Sequence, residues 1–270
     1  MIKDLDFPVT EKYNKSDIKK LQDILLKMAK SVHSVLEKHN IKYCICLGTL
    51  LGAVRHKGYI PWDDDFDIYI FDEDYDKAMD ILRKELPKWM IVHDEKVDPI
   101  YWPAWSRLRD VNSIAEADLF PDDNSYKYRG INLDFYRLKK TSRSNVDIHI
   151  WNENLRFYHK KYSVGMLQEE VYRKKVEELE KLIKSEKEKK VIVDDEQVFT
   201  FLDFMRKVEI EDMLPLKKYV FEGCEFWGPN NADAVLRESY GDYMEIPKYE
   251  ERHPHYSSVT YIDSEFGYEI

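Results

Sequence analysis

From Ile18 to Val35 apolar residues return every three or four positions, at Ile18, Leu21, Leu25, Met28, Val32 and Val35. That period is helical. Ser16 is placed to cap a helix that starts near Asp17 and ends near His39-Asn40. "IKYCICLG" then reads as a short buried strand ending in Gly. "TLLGAVRHKG" predicts a short helix stopped at Gly58, and "YIPW" predicts a turn, because Pro61 biases Ile60 to an extended shape. "DFDIYIF" predicts a strand and "EDYDKAMDILRKEL" an amphipathic helix that ends before Pro87.

Further on, "WSRLRD" and "GINLDFYRL" read as strands. From about Asp147 to Lys190 the pattern is helical, with Trp151, Leu155, Tyr158 and Tyr162 on one face. "KLIKSEKEKK" reads as a solvated helix face or linker, "KKYVFEGCEFWGP" as a hairpin and "NADAVLRESYG" as a helix. No repeat or low-complexity run interrupts the chain. This order predicts an α+β fold with a mixed sheet, in one domain over 1–270. Its core is expected over about 17–140, with a helical and mixed C-terminal part over about 147–270.

Alternation places Asp65, Asp67 and Tyr69 on one face of the "DFDIYIF" strand, and Phe66, Ile68 and Ile70 on the other, core-facing side. In "GINLDFYRL" the same logic puts Asn132, Asp134 and Tyr136 opposite Ile131, Leu133 and Phe135. If the two strands are neighbours, Asp134 joins Asp65 and Asp67. Unit charges about 4 Å apart repel by roughly 4 kcal/mol at an effective dielectric near 20, so something must offset the cluster. Hard divalent cations take oxygen ligands of this kind, and two of them can clamp an in-line phosphoryl displacement. Solvated carboxylates are the plain alternative. An EF-hand is excluded, since its sixth and twelfth positions, Gly and Glu, are here Ile68 and Asp74.

Composition narrows the choice. The 270 residues carry 42 Lys+Arg against 52 Asp+Glu, a formal net charge of -10. Sequence-independent binding of DNA or RNA needs a basic face, so no nucleic-acid partner is expected. Three cysteines give no disulfide framework. Cys44 and Cys46 read as small core residues. The N-terminus lacks a basic region followed by an apolar run, and no stretch reaches the 18 apolar residues of a membrane span. The expectation is a cytoplasmic protein, with peripheral membrane contact allowed.

Upstream of the aspartates, a strand, then Gly48-Thr49, then a helix offers free backbone N–H groups as an anion site. Arg55 and His56 close that helix. Arg55 is a candidate phosphate ligand through its bidentate fork, or else a surface cation favourable to the helix dipole. Arg107 is a second candidate, and Arg109 shares its face. His253 and His255 read as a surface tail, with substrate or metal contact the alternative. Trp102, Trp105, Tyr128 and Tyr136 are either core packing or a cage for a quaternary ammonium. Trp62 is expected to pack and fix the start of the acidic strand.

"GTLLGAVRHKGYIPWDDDFDI" resembles the signature of the LicD family, bacterial phosphorylcholine transferases related to the fukutin-type ribitol-phosphate transferases. The likeness continues more loosely through "RLRD", "NLDFYRL" and "FEGCEFWGPNNADAVLRESYGDYMEIP". It implies a nucleotidyltransferase core of the DNA polymerase β superfamily with added C-terminal helices. It also implies transfer of a phospho-alcohol from a CDP-linked donor to a glycan hydroxyl, with phosphocholine foremost and ribitol- or glycerol-phosphate as alternatives. The superfamily's paired carboxylates fall on Asp65 and Asp67, its third on Asp134, and its Gly-Ser-like turn on Gly48 and Thr49. Tyr69 and Tyr136 depart from the residues expected near those strands, and the segment from about Val164 to Gln197 is long and charged.

On this reading Asp65, Asp67 and Asp134 hold Mg²⁺ or Mn²⁺, and Asp134 also takes the acceptor's proton. The acceptor is a glycan or lipid-linked glycan of cell-surface polysaccharide, teichoic acid or lipooligosaccharide, met at the inner membrane face. A true nucleotidyltransferase, moving a nucleoside monophosphate from a triphosphate to a small molecule, is the competing enzyme. A non-catalytic nucleotide- or glycan-binding protein is the competing reading from another class.

Overall fold

Asn14, two residues earlier than expected, starts the first helix. Its Oδ1 accepts from the Ser16 and Asp17 N–H groups, and Asp17 accepts the Asn14 N–H in return. Ser16 already lies inside the helix, because the reciprocal pair satisfies two helix-end donors at once. The computed structural model describes residues 5–118, 120–188, 196–201 and 205–262. Met1–Asp4, where the N-terminal leader was sought, and the last two lysines of "KLIKSEKEKK" lie outside them.

The chain runs α1 (Lys15–Lys38), β1 (Tyr43–Ile45), α2 (Leu47–Leu51), β2 (Asp67–Phe71), α3 (Asp72–Glu85), β3 (Met90–His93) and β4 (Ser106–Asp110). It continues through β5 (Ser113–Glu116), β6 (Asn132–Ser142), α4 (Val146–Ser163), α5 (Glu169–Glu188), β7 (Gln197–Phe201) and β8 (Met205–Glu209). α6 (Ile210–Met213), β9 (Lys217–Phe221), β10 (Cys224–Gly228), α7 (Ala232–Tyr240) and β11 (Ser258–Tyr261) complete the order. The expected helices and strands appear in their expected places.

Among the described residues one mixed sheet has the order β1-β2-β6-β4-β3, and β7 joins β6 on its far half before pairing with β8. β2 and β6 are parallel, and the other pairs are antiparallel. The parallel pair forms because α3 leaves β2, crosses one face and lets the chain return at the centre. α1 and α3 pack together on that face, with Leu21, Leu25, Met28, Ala78 and Leu82 buried. One continuous cluster of buried apolar residues runs from Phe7 to Tyr256.

Two details correct the local reading. The short helix after β1 is α2 extended by a π turn over Gly52–His56, and Lys57 in a left-handed conformation (φ 62°) ends it, one residue before Gly58. The second face of β2 is not open to water. All five of its residues are buried, since Tyr69 packs on Tyr136 and Phe201. β9 and β10 do form the expected hairpin. Its turn places Glu222 and Gly223 at φ 48° and 74°, a region Gly occupies without cost.

Candidate active site

The parallel register sets Asp67 directly opposite Asp134. Asp65 lies two residues before Asp67, just ahead of the strand. One oxygen from each of Asp65, Asp67 and Asp134 lies within 4.8 Å of the other two. The three residues singled out in the sequence are therefore brought together at one point. Asp67 and Asp134 are almost fully buried, while Asp65 is partly open. Burial pushes Asp67 well above the usual carboxylate range, and the nearby Asp65 and Asp134 push further. Asp65 is also raised by burial, though His255 opposes the shift.

The four acidic residues at the start of β2 divide the work. Asp64 faces inward and is fully buried. It accepts from the Tyr13 hydroxyl (3.1 Å), the His255 and Tyr256 backbone N–H groups (2.8 and 3.0 Å) and His255 Nδ1 (3.0 Å). Asp63 stays on the site side. With Asp65 and His255 it forms a second group of donor atoms within 4.8 Å of one another. Burial and then Asp65 raise Asp63 well above its ordinary value. His255 is raised in turn, chiefly by Asp65. His253 is exposed, as expected for a tail, but His255 is not a tail residue. No local pattern links it to an aspartate 191 positions away.

Asp134 is held by three donors. Arg107 Nε (3.1 Å) and Asn132 Nδ2 (2.9 Å) donate to one oxygen, and the Tyr136 hydroxyl (3.1 Å) donates to the other. Arg107 also reaches Asp123 at 2.5 Å. Arg109, on the same strand face, donates to the Gly130 carbonyl, Asn132 and Asp123. The Tyr256 hydroxyl donates to Asn132 Oδ1. A second hydrogen-bond route therefore ties the C-terminal segment to Asp134.

Gly48 and Thr49 lie against the acidic turn and the start of β2. A Cβ on Gly48 would sit 3.0 Å from Asp63 Oδ2, so the absent side chain is what lets that carboxylate approach. The preceding Leu47 has φ 45°, an outlier for a bulky residue and of the kind that gathers at functional turns. Thr49 is buried, and its Oγ1 accepts the Asp67 N–H at 2.8 Å. That bond fixes the strand that carries the site.

Arg55 is buried, not a surface cation. Its Nη1 donates to the carbonyls of Tyr243 (2.6 Å) and Glu245 (3.2 Å), and its Nε reaches His56. The guanidinium thus anchors the segment after α7. Of the four aromatic residues considered as a cage, Trp102, Trp105 and Tyr136 lie near one another and Tyr128 lies apart. Tyr136 contacts Trp105 and Phe201. Trp102 meets Phe157 and Lys161, and Tyr128 meets His93 and Lys127. Trp62 is buried between Phe7 and Arg252, as expected for a residue that fixes the acidic turn.

Oxygen-only donors at Asp65, Asp67 and Asp134 suit a hard divalent cation. The mutual repulsion of these buried carboxylates is what such an ion would relieve.

Residues 40–98 match the family model described as "LicD/FKTN/FKRP, nucleotidyltransferase domain". That interval contains Gly48, Thr49, Arg55 and the four aspartates, and stops short of Arg107 and Asp134. The chain is 26% identical over 274 aligned residues to "Lipopolysaccharide cholinephosphotransferase LicD" of Haemophilus influenzae, covering 92% of this chain and 99% of that protein. It is 34% identical over 158 residues to an uncharacterized protein of Rickettsia prowazekii, covering 52% of this chain and 53% of the other. Against an uncharacterized protein of Rickettsia typhi it is 35% identical over 150 residues, covering 52% of this chain and 45% of that one. The chain spans about half the length of these two rickettsial relatives. The family model on its acidic turn and the named relative aligned along nearly its whole length both support a place for the chain in the LicD family.

Proposed function

We propose that the protein is a LicD-type phosphotransferase that moves a phospho-alcohol, phosphocholine first among them, from a CDP-linked donor to a hydroxyl of a cell-surface glycan such as lipopolysaccharide. The observation that carries this reading is the convergence of Asp65, Asp67 and Asp134 from two parallel strands. The end-to-end alignment with a protein named for cholinephosphate transfer to lipopolysaccharide supports it. The core is taken as a nucleotidyltransferase fold, and the C-terminal part as belonging to the same domain, since its His255 and Tyr256 reach the aspartates.

In the proposed reaction the acceptor oxygen attacks the phosphorus that carries the alcohol. The bond from that phosphorus to the bridging oxygen breaks, and CMP leaves with the oxygen. Mg²⁺ or Mn²⁺ held by Asp65, Asp67 and Asp134 would offset the charge of carboxylates and phosphates at that point. Asp134, fixed by Arg107, Asn132 and Tyr136, is a candidate to receive the hydroxyl's proton. Gly48 leaves room for close approach beside Asp63. Arg107, beside Asp134, is a candidate to meet a donor phosphate. CDP-linked donors place the reaction in the cytoplasm, at the inner membrane face if the acceptor is lipid-linked. No helix among the described residues is long and apolar enough to cross a membrane.

The test is ³¹P NMR of the protein with Mg²⁺ and CDP-choline, CDP-ribitol or CDP-glycerol, each with a glycan acceptor extract. CMP released from one CDP-alcohol supports the reading and identifies the donor. The words "nucleotidyltransferase domain" in the family description favour a second reading, transfer of a nucleoside monophosphate. That reading requires pyrophosphate released from CTP with every CDP-alcohol left intact.

A further inference from the structure

A cavity of about 840 Å³ opens beside the carboxylates, between α3, the β3–β4 connection, β6 and α4. Its size is in the usual range for a small-molecule site. Two layers of side chains separate it from Asp134. Trp105 and Phe201 line the cavity, and both pack on the Tyr136 ring, at 5.4 and 4.7 Å between centroids. The hydroxyl of that same Tyr136 donates to Asp134 Oδ2.

The wall is aromatic and polar together. Trp102, Trp105, Phe157 and Phe201 contribute rings. The charges between them are already paired. Arg137 bridges Asp72 (2.9 Å) and Asp76 (2.7 Å), and Lys139 also meets Asp72. Lys160 meets Glu95 at 2.6 Å, and Arg156 meets Glu153 at 3.0 Å. A phosphate or an ammonium ligand would compete with these pairs. A neutral polyhydroxylated ligand would not. Its hydroxyls can donate to the carboxylates and accept from the guanidinium and ammonium groups, while its C–H faces lie on the rings. Along this wall α4 fully buries only Val146 and Ile150.

We propose that this cavity binds an uncharged sugar unit, which under the function proposed above is part of the acceptor glycan.

The test is saturation-transfer NMR with the methyl glycosides of glucose, galactose and N-acetylglucosamine, and with CMP in separate tubes. The variants are Trp102→Ala, which removes a partly exposed ring, and Ala104→Arg, which plugs the mouth at an exposed residue. Melting curves confirm that each variant folds. At least one glycoside should transfer saturation to its ring protons. Its binding should weaken roughly tenfold in both variants, about the contribution of one stacking contact. The CMP signal should persist in both. If no glycoside binds, or binding survives in both variants, the sugar site is wrong. It is equally wrong if Ala104→Arg abolishes the CMP signal, because the cavity then holds the nucleotide. The ³¹P assay reads the donor chemistry separately. Should no CDP-alcohol be consumed while a glycoside still maps to the cavity, the phosphotransferase reading falls and the sugar site stands.

Discussion

Asp67 and Asp134 face each other across a parallel strand pair, both buried. Arg107 binds Asp134 from the side. Like charges directly opposite on a sheet are destabilising, so the fold carries this pair at a cost.

Asp67→Asn is therefore expected to lower turnover roughly a thousandfold or more, while raising the stability of the metal-free protein by about 1 kcal/mol. Urea unfolding in chelator reads the second effect and the ³¹P assay the first. A destabilised variant would mean that Asp67 is structural.

Divalent cation should stabilise the wild type. At about one hundred times its Kd, Mg²⁺ should contribute about 2.7 kcal/mol, seen as a rise in Tm. The rise should shrink in Asp67→Asn and Asp134→Asn and persist in Asp64→Asn. The sign with pH follows from the raised value of Asp67. In chelator the folded state holds the proton more tightly than the unfolded one, so this group favours folding at low pH, and the contribution fades as pH rises through its folded value. Added Mg²⁺ should offset that loss. An equal Tm response in all four proteins would remove the site.

Asp64→Ala should behave as a structural lesion. It leaves four donors without an acceptor, two of them buried, which costs about 3 kcal/mol or more. It should also release residues 252–262, seen as faster amide exchange in that segment. Asp63→Asn, one residue away, should change stability far less. If the two variants unfold alike, the division of labour among the aspartates is wrong.

Arg55→Met tests anchor against phosphate ligand. An anchor predicts a loss of about 2 kcal/mol, because the Tyr243 and Glu245 carbonyls lose a charged donor, with the donor KM little changed. A KM raised tenfold at intact stability would restore Arg55 to the substrate site.

His93 is fully buried on β3, with Nε2 against Asp98 and Nδ1 without a partner. Burial, and then Arg109, push it down to about 4. A histidine near 6.5 when unfolded then binds its proton more readily in the unfolded chain. Stability is complete above pH 6.5 and falls as pH drops toward 4, by at most about 3 kcal/mol. His33 and His149 are lowered by burial too and act in the same direction. Urea midpoints at pH 7.5 and 5 measure the slope, and His93→Gln should flatten it. A slope unchanged in that variant would assign it to other groups.

The sequence by itself determined the elements and the chemistry of the acidic turn. The helical period of α1 and α3, the alternation in β2 and β6 and the hairpin turn at Glu222-Gly223 are local, set by backbone geometry and side-chain spacing. Local pattern also marked Asp65, Asp67 and Asp134 as facing one way on their strands. Only the tertiary structure decided that β2 and β6 are neighbours in a register that puts Asp67 opposite Asp134, because strand pairing depends on how the α3 crossover packs. It also decided that Asp64 turns inward to hold His255 and Tyr256 from 191 and 192 residues away, and that Arg55 is spent on carbonyls after α7. No periodicity encodes these contacts. They follow from packing the described C-terminal residues, up to 262, onto the rest of the fold, where each polar group taken from water needs a partner, and that partner is far off in the chain.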